Sequence, residues 1–271
     1  MVAPLGIVPA AGGGSRLWPY RAAKELIQIG YETVAADGEG GECGTAQLVP
    51  KAAIDHVLDA MRRGGVHSAF VVLSPVKWEV FRYLGSGGQR GMQVAYLCQE
   101  EQLGMPHALD LAHPFIGDRT VCMGMPDTLL APDDCFAKLL AFHEKRDADL
   151  SLGLFPVADP RAFAPVVLDP GTGRVVDIVD KPQVPPVTTV WGIAAWSPAF
   201  GELLREFVRA GAAGAADAGE GLLSEAFLLA ARSGLQVFGL PFDTGQYHDI
   251  GTPAGLVDVR RRLESGLDGP A

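Results

Sequence analysis

The sequence predicts an α/β fold, a mostly parallel β-sheet flanked by helices with an added antiparallel β excursion. Two observations predict the sheet. Short apolar runs alternate with segments of helical period over the first 155 residues, the rhythm of parallel strands joined by crossover helices. The β-branched and aromatic run Ala69–Leu73 has the composition of a central strand. A third observation predicts the excursion: the turn sequence DPGTG at 169–173 separates two apolar runs, which reads as a hairpin.

In chain order, Leu5–Pro9 is expected as a buried strand and Ala52–Arg63 as a helix, with Ile54, Val57, Leu58 and Met61 at helical spacing before Gly64-Gly65. Val94–Cys98 follows Ala69–Leu73 as a strand, then Met105–His113 as a helix, Thr120–Met123 as a strand, Asp134–Arg146 as a helix and Asp149–Val157 as a strand. Pro165–Asp169 and Arg174–Val179 form the hairpin, and Val190–Trp196 another strand. Helices at Pro198–Arg209 and Leu222–Arg232 enclose a Gly/Ala-rich loop at Gly211–Gly221, before a strand at Leu235–Leu240. Thr252-Pro253 is an N-cap and first-turn pair that opens a last helix through about Leu263. Tyr31–Gln47 is acidic, glycine-rich and without period, so it is expected to be irregular.

The chain has 271 residues, 48% hydrophobic and 20% charged, with a formal net charge of −10. That composition is globular, and the length is ample for a sizeable core. The acidic balance speaks against nucleic acid as a partner, since that requires clustered Lys and Arg. Cys43, Cys98, Cys122 and Cys135 are widely spaced with no CxxC. They are expected as buried small hydrophobes in a reducing, cytoplasmic setting rather than as a disulfide framework or zinc site. The N-terminus lacks a signal-peptide pattern, and no apolar run is long enough to span a membrane.

The first strand runs directly into Ala10-Ala11-Gly12-Gly13-Gly14-Ser15-Arg16-Leu17. A glycine-rich turn at that point lets backbone N–H groups approach a phosphate, and Arg16 adds a fork matched to its oxygens. Leu17 stands where the dinucleotide pattern GxGxxG requires glycine, and the Gly-Lys-Ser/Thr of a Walker loop is absent. Three glycines alone also fit a plain turn.

With Lys24 in AKELIQIG, this segment resembles the signature of the sugar-1-phosphate nucleotidyltransferases. The resemblance continues in four further motifs. Gln99-Glu100-Glu101-Gln102-Leu103-Gly104 with Met105-Pro106-His107-Ala108 is similar to the family's base-reading loop, in its pyrimidine form. Met123-Gly124-Met125-Pro126-Asp127 stands where the family has a strand ending in Gly-Asp. Val179-Asp180-Lys181-Pro182 resembles VEKP, and His248-Asp249-Ile250-Gly251-Thr252-Pro253 resembles the late DIGTP string. Five motifs in order cover about positions 5 to 260. The branch most resembled is the glucose-1-phosphate thymidylyltransferase-like, dTDP-glucose pyrophosphorylase-like one.

The resemblance implies a Rossmann-like nucleotide-diphospho-sugar transferase fold, as a single domain over 1–271. Residues 1–157 would be its nucleotide-binding half, and 158–271 its sugar-phosphate-binding half and C-terminal helix. It implies a Mg²⁺-dependent reaction of dTTP or UTP with a sugar 1-phosphate. Gly12, Gly13 and Gly14 would meet the triphosphate and ribose, and Arg16 the β- and γ-phosphates. Lys24 would bridge the α-phosphate and the sugar phosphate. Asp127 and Asp249 would hold Mg²⁺, Lys181 the sugar phosphate and Asp180 the sugar hydroxyls. Gln99 and the Gly104 backbone would read the base.

Taken residue by residue, plainer readings stand beside these. Asp127 could cap a turn, Asp243 in FDTGQ rivals Asp249 for the metal, and Lys181 could be an ordinary exposed lysine. His107 and His248 read as packing or surface groups, and Arg260-Arg261-Arg262 as complements to the end of the last helix. Departures from the family pattern fall mostly on the sugar side. Ala23 replaces a proline and the spacing to Lys24 is shortened; Pro126 replaces glycine and Asp180 replaces glutamate. Phe163-Ala164-Pro165-Val166 stands for Tyr-Gly-Val, and Pro165 removes an N–H. A non-glucose or phosphonate acceptor, or a non-catalytic nucleotide-sugar-binding member of the fold, therefore stays open, as does a homo-oligomer. Too few residues follow for the β-helix that many family members carry, which fits the short thymidylyltransferase-like form.

Overall fold

The computed structural model describes residues 2–17, 20, 22–34, 47–214 and 222–267. In chain order the strands and helices are β1 Leu5–Pro9, β2 Gln28–Val34, β3 Gln47–Ala52, α1 Ala53–Arg63, β4 Ser68–Leu73, α2 Trp78–Leu84 and β5 Gln93–Cys98. Then come α3 Gly104–Asp110, α4 His113–Ile116, β6 Val121–Gly124, β7 Thr128–Ala131, α5 Cys135–Arg146, β8 Leu150–Pro156, β9 Val166–Leu168 and β10 Val175–Ile178. The last are β11 Thr189–Trp196, α6 Pro198–Gly214, α7 Leu223–Arg232, β12 Val237–Pro241, β13 Gln246–Asp249 and α8 Pro253–Leu267.

Seven strands form the main sheet in the order β12-β8-β11-β6-β1-β4-β5. The β6-β1-β4-β5 block is parallel, β12 is parallel to β8, and β11 alone runs antiparallel to both of its neighbours. Successive side chains of a strand point to opposite faces. Ile7, Val72 and Met123 accordingly enter one core with α3, α6 and α7, through Leu109, Phe200 and Phe227. Val8, Val71 and Cys122 enter a second core with α1, α2 and α5, through Leu58, Val80 and Phe136. This is a Rossmann-like arrangement, and β9 with β10 is its antiparallel excursion.

The structure departs from the sequence reading in several places. Part of Tyr31–Gln47 is ordered by pairing: β2 is antiparallel to β3, while 35–46, including Cys43, lie outside the described residues. Helix α6 continues to Gly214, and 215–221 of the expected loop also lie outside them. The helix expected over Met105–His113 breaks into α3 and α4. Helix α8 runs to Leu267, so the three arginines sit inside it, and Arg262 pairs with Asp258 one turn back at 2.9 Å. Cys122 and Cys135 are buried, and burial pushes both thiols up, that of Cys135 to about 12. Cys98 is exposed because it ends an edge strand of the sheet. Among the described residues, no helix is long and apolar enough to cross a membrane.

Candidate active site

The parallel strands β6, β1, β4 and β5 are neighbours, so the loops after their C-terminal ends share one edge of the sheet, where α/β folds place their sites. After β1, Gly14 takes φ +65°, a left-handed conformation that strains any residue with a Cβ. The turn closes through Leu17 N donating to Gly14 O at 3.1 Å. Gly12 is exposed, a Cβ there would meet nothing within 4 Å among the described residues, and Gly13 faces the Gln102 side chain. Lys24 opens a short 3-10 turn, its aliphatic stem lying along Gly14.

After β6, Asp127 is 2% exposed, and its Oδ2 accepts from Lys24 Nζ at 2.5 Å. The antiparallel ladder of β7 with β13 places Asp249 opposite Thr128, and Ile250 N donates to Asp127 O at 3.0 Å. Asp249 Oδ1 accepts from Gly251 N at 2.7 Å, and Oδ2 from Arg16 Nη1 at 3.1 Å. A Cβ placed on Gly251 would meet Arg16 Nη2 at 2.7 Å, Asp249 Oδ1 at 2.8 Å and Asp127 Oδ2 at 2.9 Å. Two carboxylates and a guanidinium thus converge on one point, with Lys24 bound to the deeper carboxylate. Asp243, by contrast, is exposed and lines a different cleft with Pro132 and Lys138.

The turn that carries Asp249 is held from behind. Thr252 Oγ1 accepts from Gly255 N at 3.1 Å, capping α8. A Cβ on Gly255 would lie 1.9 Å from the Asp249 carbonyl oxygen, so only glycine fits this first turn. Tyr247, two residues before Asp249, packs edge-on against Phe163. Burial, then the charge of Asp249, pushes its phenol above the usual range, so it stays a neutral hydroxyl.

The Gly-rich loop is clamped by a residue that motif reasoning missed. Lys77 is buried, and its Nζ donates to Ala10 O at 2.8 Å and to Glu25 Oε1 at 2.7 Å. It joins the entry of the loop to the residue after Lys24. Glu25 is fully buried, and its Oε2 has no partner among the described residues. Glu79 Oε1 accepts from Ala23 N at 3.2 Å, tying the same turn to α2.

Two clefts flank the charged cluster. One, of about 250 Å³, lies between Gly13, Gly14 and Lys24 on one wall and Lys77 and Glu79 on the other. The second, of about 230 Å³, is lined by Arg16, Phe163, Tyr247, Asp249 and Thr252. Gln99 is buried beyond the end of β5 and contacts Gly104 O and His107 Nδ1. Asp180 and Lys181 stand apart. Lys181 takes φ +44°, its N donates to Phe163 O at 2.8 Å, and its Nζ lies 4.0 Å from Asp180 Oδ2. Neither is hydrogen-bonded or ion-paired to Lys24, Asp127 or Asp249. The structure therefore brings together the glycines, Arg16, Lys24, Asp127 and Asp249, and leaves Asp180 and Lys181 outside that group, joined to the rim of the second cleft by the Lys181 N to Phe163 O bond.

Among the described residues, no group of three or more His, Cys, Asp or Glu side chains is arranged to hold a metal. Two converging carboxylates do suit Mg²⁺, which takes one or two carboxylates and completes its octahedron with phosphate oxygens and water.

A sequence profile of the nucleotidyl transferase family matches residues 46–266. The chain belongs to the nucleotidyl transferase family. Membership brings nucleotidyl transfer as the general reaction class. Among relatives, a glucose-1-phosphate thymidylyltransferase of Streptomyces antibioticus is 26% identical over 267 residues, covering 97% of this chain and 67% of the relative. The Haloferax volcanii low-salt glycan biosynthesis nucleotidyltransferase Agl11 is 25% identical, over 74% of this chain and 51% of the relative. The chain thus spans half to two thirds of the length of these curated relatives. A Bacillus anthracis crystal structure, described as that of a candidate glucose-1-phosphate thymidylyltransferase with bound sucrose, superposes with a TM-score of 0.77. It is 19% identical and covers 96% of this chain and 95% of its own, a likeness of fold.

Proposed function

We propose that this nucleotidyl transferase joins a pyrimidine nucleoside triphosphate, dTTP or UTP, to a sugar 1-phosphate, releasing pyrophosphate. One observation carries the reading. Behind a glycine-rich loop, two carboxylates and two cations converge at the C-terminal edge of the parallel strands. That set suits the screening and alignment of polyphosphate.

A phosphate oxygen of the sugar phosphate attacks the α-phosphorus. The new P–O bond forms as the bond from α-phosphorus to the bridging oxygen breaks, and pyrophosphate leaves with that electron pair. Gly12, Gly13 and Gly14 lay backbone N–H groups along the triphosphate. Arg16 holds the β- and γ-phosphates and the departing pyrophosphate. Lys24 bridges the α-phosphate and the acceptor phosphate, exchanging Asp127 for them. Lys181 takes the acceptor phosphate and Asp180 the sugar hydroxyls, while Gln99 and the Gly104 backbone read the base. Asp127 and Asp249 hold Mg²⁺, which when bound neutralises phosphate charge. In this reading 1–157 serve the nucleotide and 158–271 the acceptor, within one domain. The substrates are small molecules, with neither nucleic acid nor membrane as partner.

A pyrophosphate-release screen of several nucleoside triphosphates against a panel of sugar phosphates, with Mg²⁺, tests this. Release is expected from dTTP or UTP with at least one sugar 1-phosphate. Tight nucleotide binding without turnover across the panel would overturn it in favour of a non-catalytic binder.

A further inference from the structure

Gln99 is 4% exposed, and both hydrogens of its amide are committed. Nε2 donates to Gly104 O at 3.0 Å and lies 3.0 Å from His107 Nδ1. Gly104 and His107 are three apart on α3 and so share a face, which is how both reach one side chain. A carbonyl oxygen only accepts, so the nitrogen end of the amide must face Gly104. An amide nitrogen only donates, so His107 Nδ1 must be the bare nitrogen of a neutral imidazole that carries its proton on Nε2. Gln99 Oε1 accepts nothing among the described residues, and it is not one of the side-chain atoms sealed away without a partner. The loop bearing it packs on the Gly-rich loop, with Gln102 Nε2 at 3.3 Å from a Cβ position on Gly13.

We infer that His107 is a positioning residue that sets base specificity through Gln99. By taking the second amide hydrogen, it leaves Gln99 with an acceptor and no donor to offer. An acceptor-only side chain favours a pyrimidine whose ring N3 carries a hydrogen, as in uracil and thymine. It disfavours cytosine, whose N3 is itself an acceptor. Without His107 the amide is held by the Gly104 carbonyl alone, and its acceptor is no longer fixed by a second contact. The inference rests on the reading that Gln99 faces the base.

The test measures calorimetric binding of UTP against CTP, and of dUTP against dCTP, with Mg²⁺ and no acceptor. Each pair differs only at the edge in question. Wild type should prefer the uracil nucleotide by about tenfold or more. In His107→Leu the ratio should fall towards one. In His107→Asn it should return, because Oδ1 of asparagine offers an acceptor where Nδ1 stands. A packing role predicts no advantage of Asn over Leu, and that result overturns the inference, as does a wild type without preference. In Gln99→Ala the preference should vanish. If it vanishes there but persists in His107→Leu, the assignment of His107 fails alone. If it persists in Gln99→Ala, the base-reading role of Gln99 fails with it.

Discussion

On the Gly-rich-loop side of the cleft, Lys24 and Lys77 are held by buried partners, while Arg16 is paired but 58% exposed. Lys24 is 15% exposed and bonded to Asp127, Arg16 is bonded to Asp249, and Lys77 is enclosed between Ala10 and Glu25. On the far side Lys181 is 66% exposed, with Asp180 4.0 Å away. The difference concerns when order is established. A gripped group has already lost its conformational freedom during folding, so a ligand binds to it at little further entropic cost. An exposed lysine keeps that freedom until its ligand arrives. The motif departures fall on both sides: Ala23 and Pro126 stand beside the paired Lys24 and Asp127, and Pro165 and Asp180 near the exposed Lys181.

The sharpest way to break this comparison is to neutralise the gripped carboxylates. Asp127→Asn and Asp249→Asn each keep the side-chain shape and remove the charge. Each should lower pyrophosphate release by about a thousandfold, the scale of losing a metal ligand or a preorganised charge in such a site. Circular dichroism should show the fold retained. Turnover near wild type in both variants would detach the converging carboxylates from the chemistry.

Next in size is the clamp. Lys77→Met leaves the buried Glu25 carboxylate without its cation, and removing one partner of a buried pair costs about 3–5 kcal/mol. Adding Glu25→Leu should recover most of that loss, because a buried pair replaced by apolar side chains of similar size is close to neutral. Urea unfolding of the two variants checks both statements. A single variant as stable as wild type would mean that the loop side is no more firmly built than the rim.

The clamp also shows where a sequence stops being legible. The strands of the central sheet could be read because burial on both faces leaves an uninterrupted apolar run, as in Leu5–Pro9 and Ala69–Leu73. The glycines and Arg16 were legible as one local string, and Asp127 as the end of another, Met123–Asp127. Strands β7 and β13 were not: each has four residues, and Gln246–Asp249 carries no apolar alternation. Yet their pairing is what sets Asp249 beside Asp127. Lys77 belongs to none of the motifs, because its partner Glu25 is brought across from it only by the fold. His107 was expected as packing or surface, and only its contact with Gln99 gives it a partner of consequence. Gly255 could have been noticed, since glycine in a first helical turn is unfavourable, but its cause is a carbonyl oxygen six residues earlier.

The smallest expected effect probes the rim. In Lys181→Ala, KM for the acceptor should rise about two- to fivefold, the scale of one solvent-screened charge contact, while the nucleotide dissociation constant stays unchanged. The two measurements separate the sides of the cleft. A lysine ordered only by its ligand contributes to acceptor binding and little to the aligned geometry around the α-phosphorus, so kcat should change less than KM. A hundredfold fall in kcat at unchanged KM would show the opposite. Lys181 would then be held in the reacting complex as firmly as Lys24, and the left-handed backbone at Lys181, tied to the Phe163 carbonyl, would be what aims it.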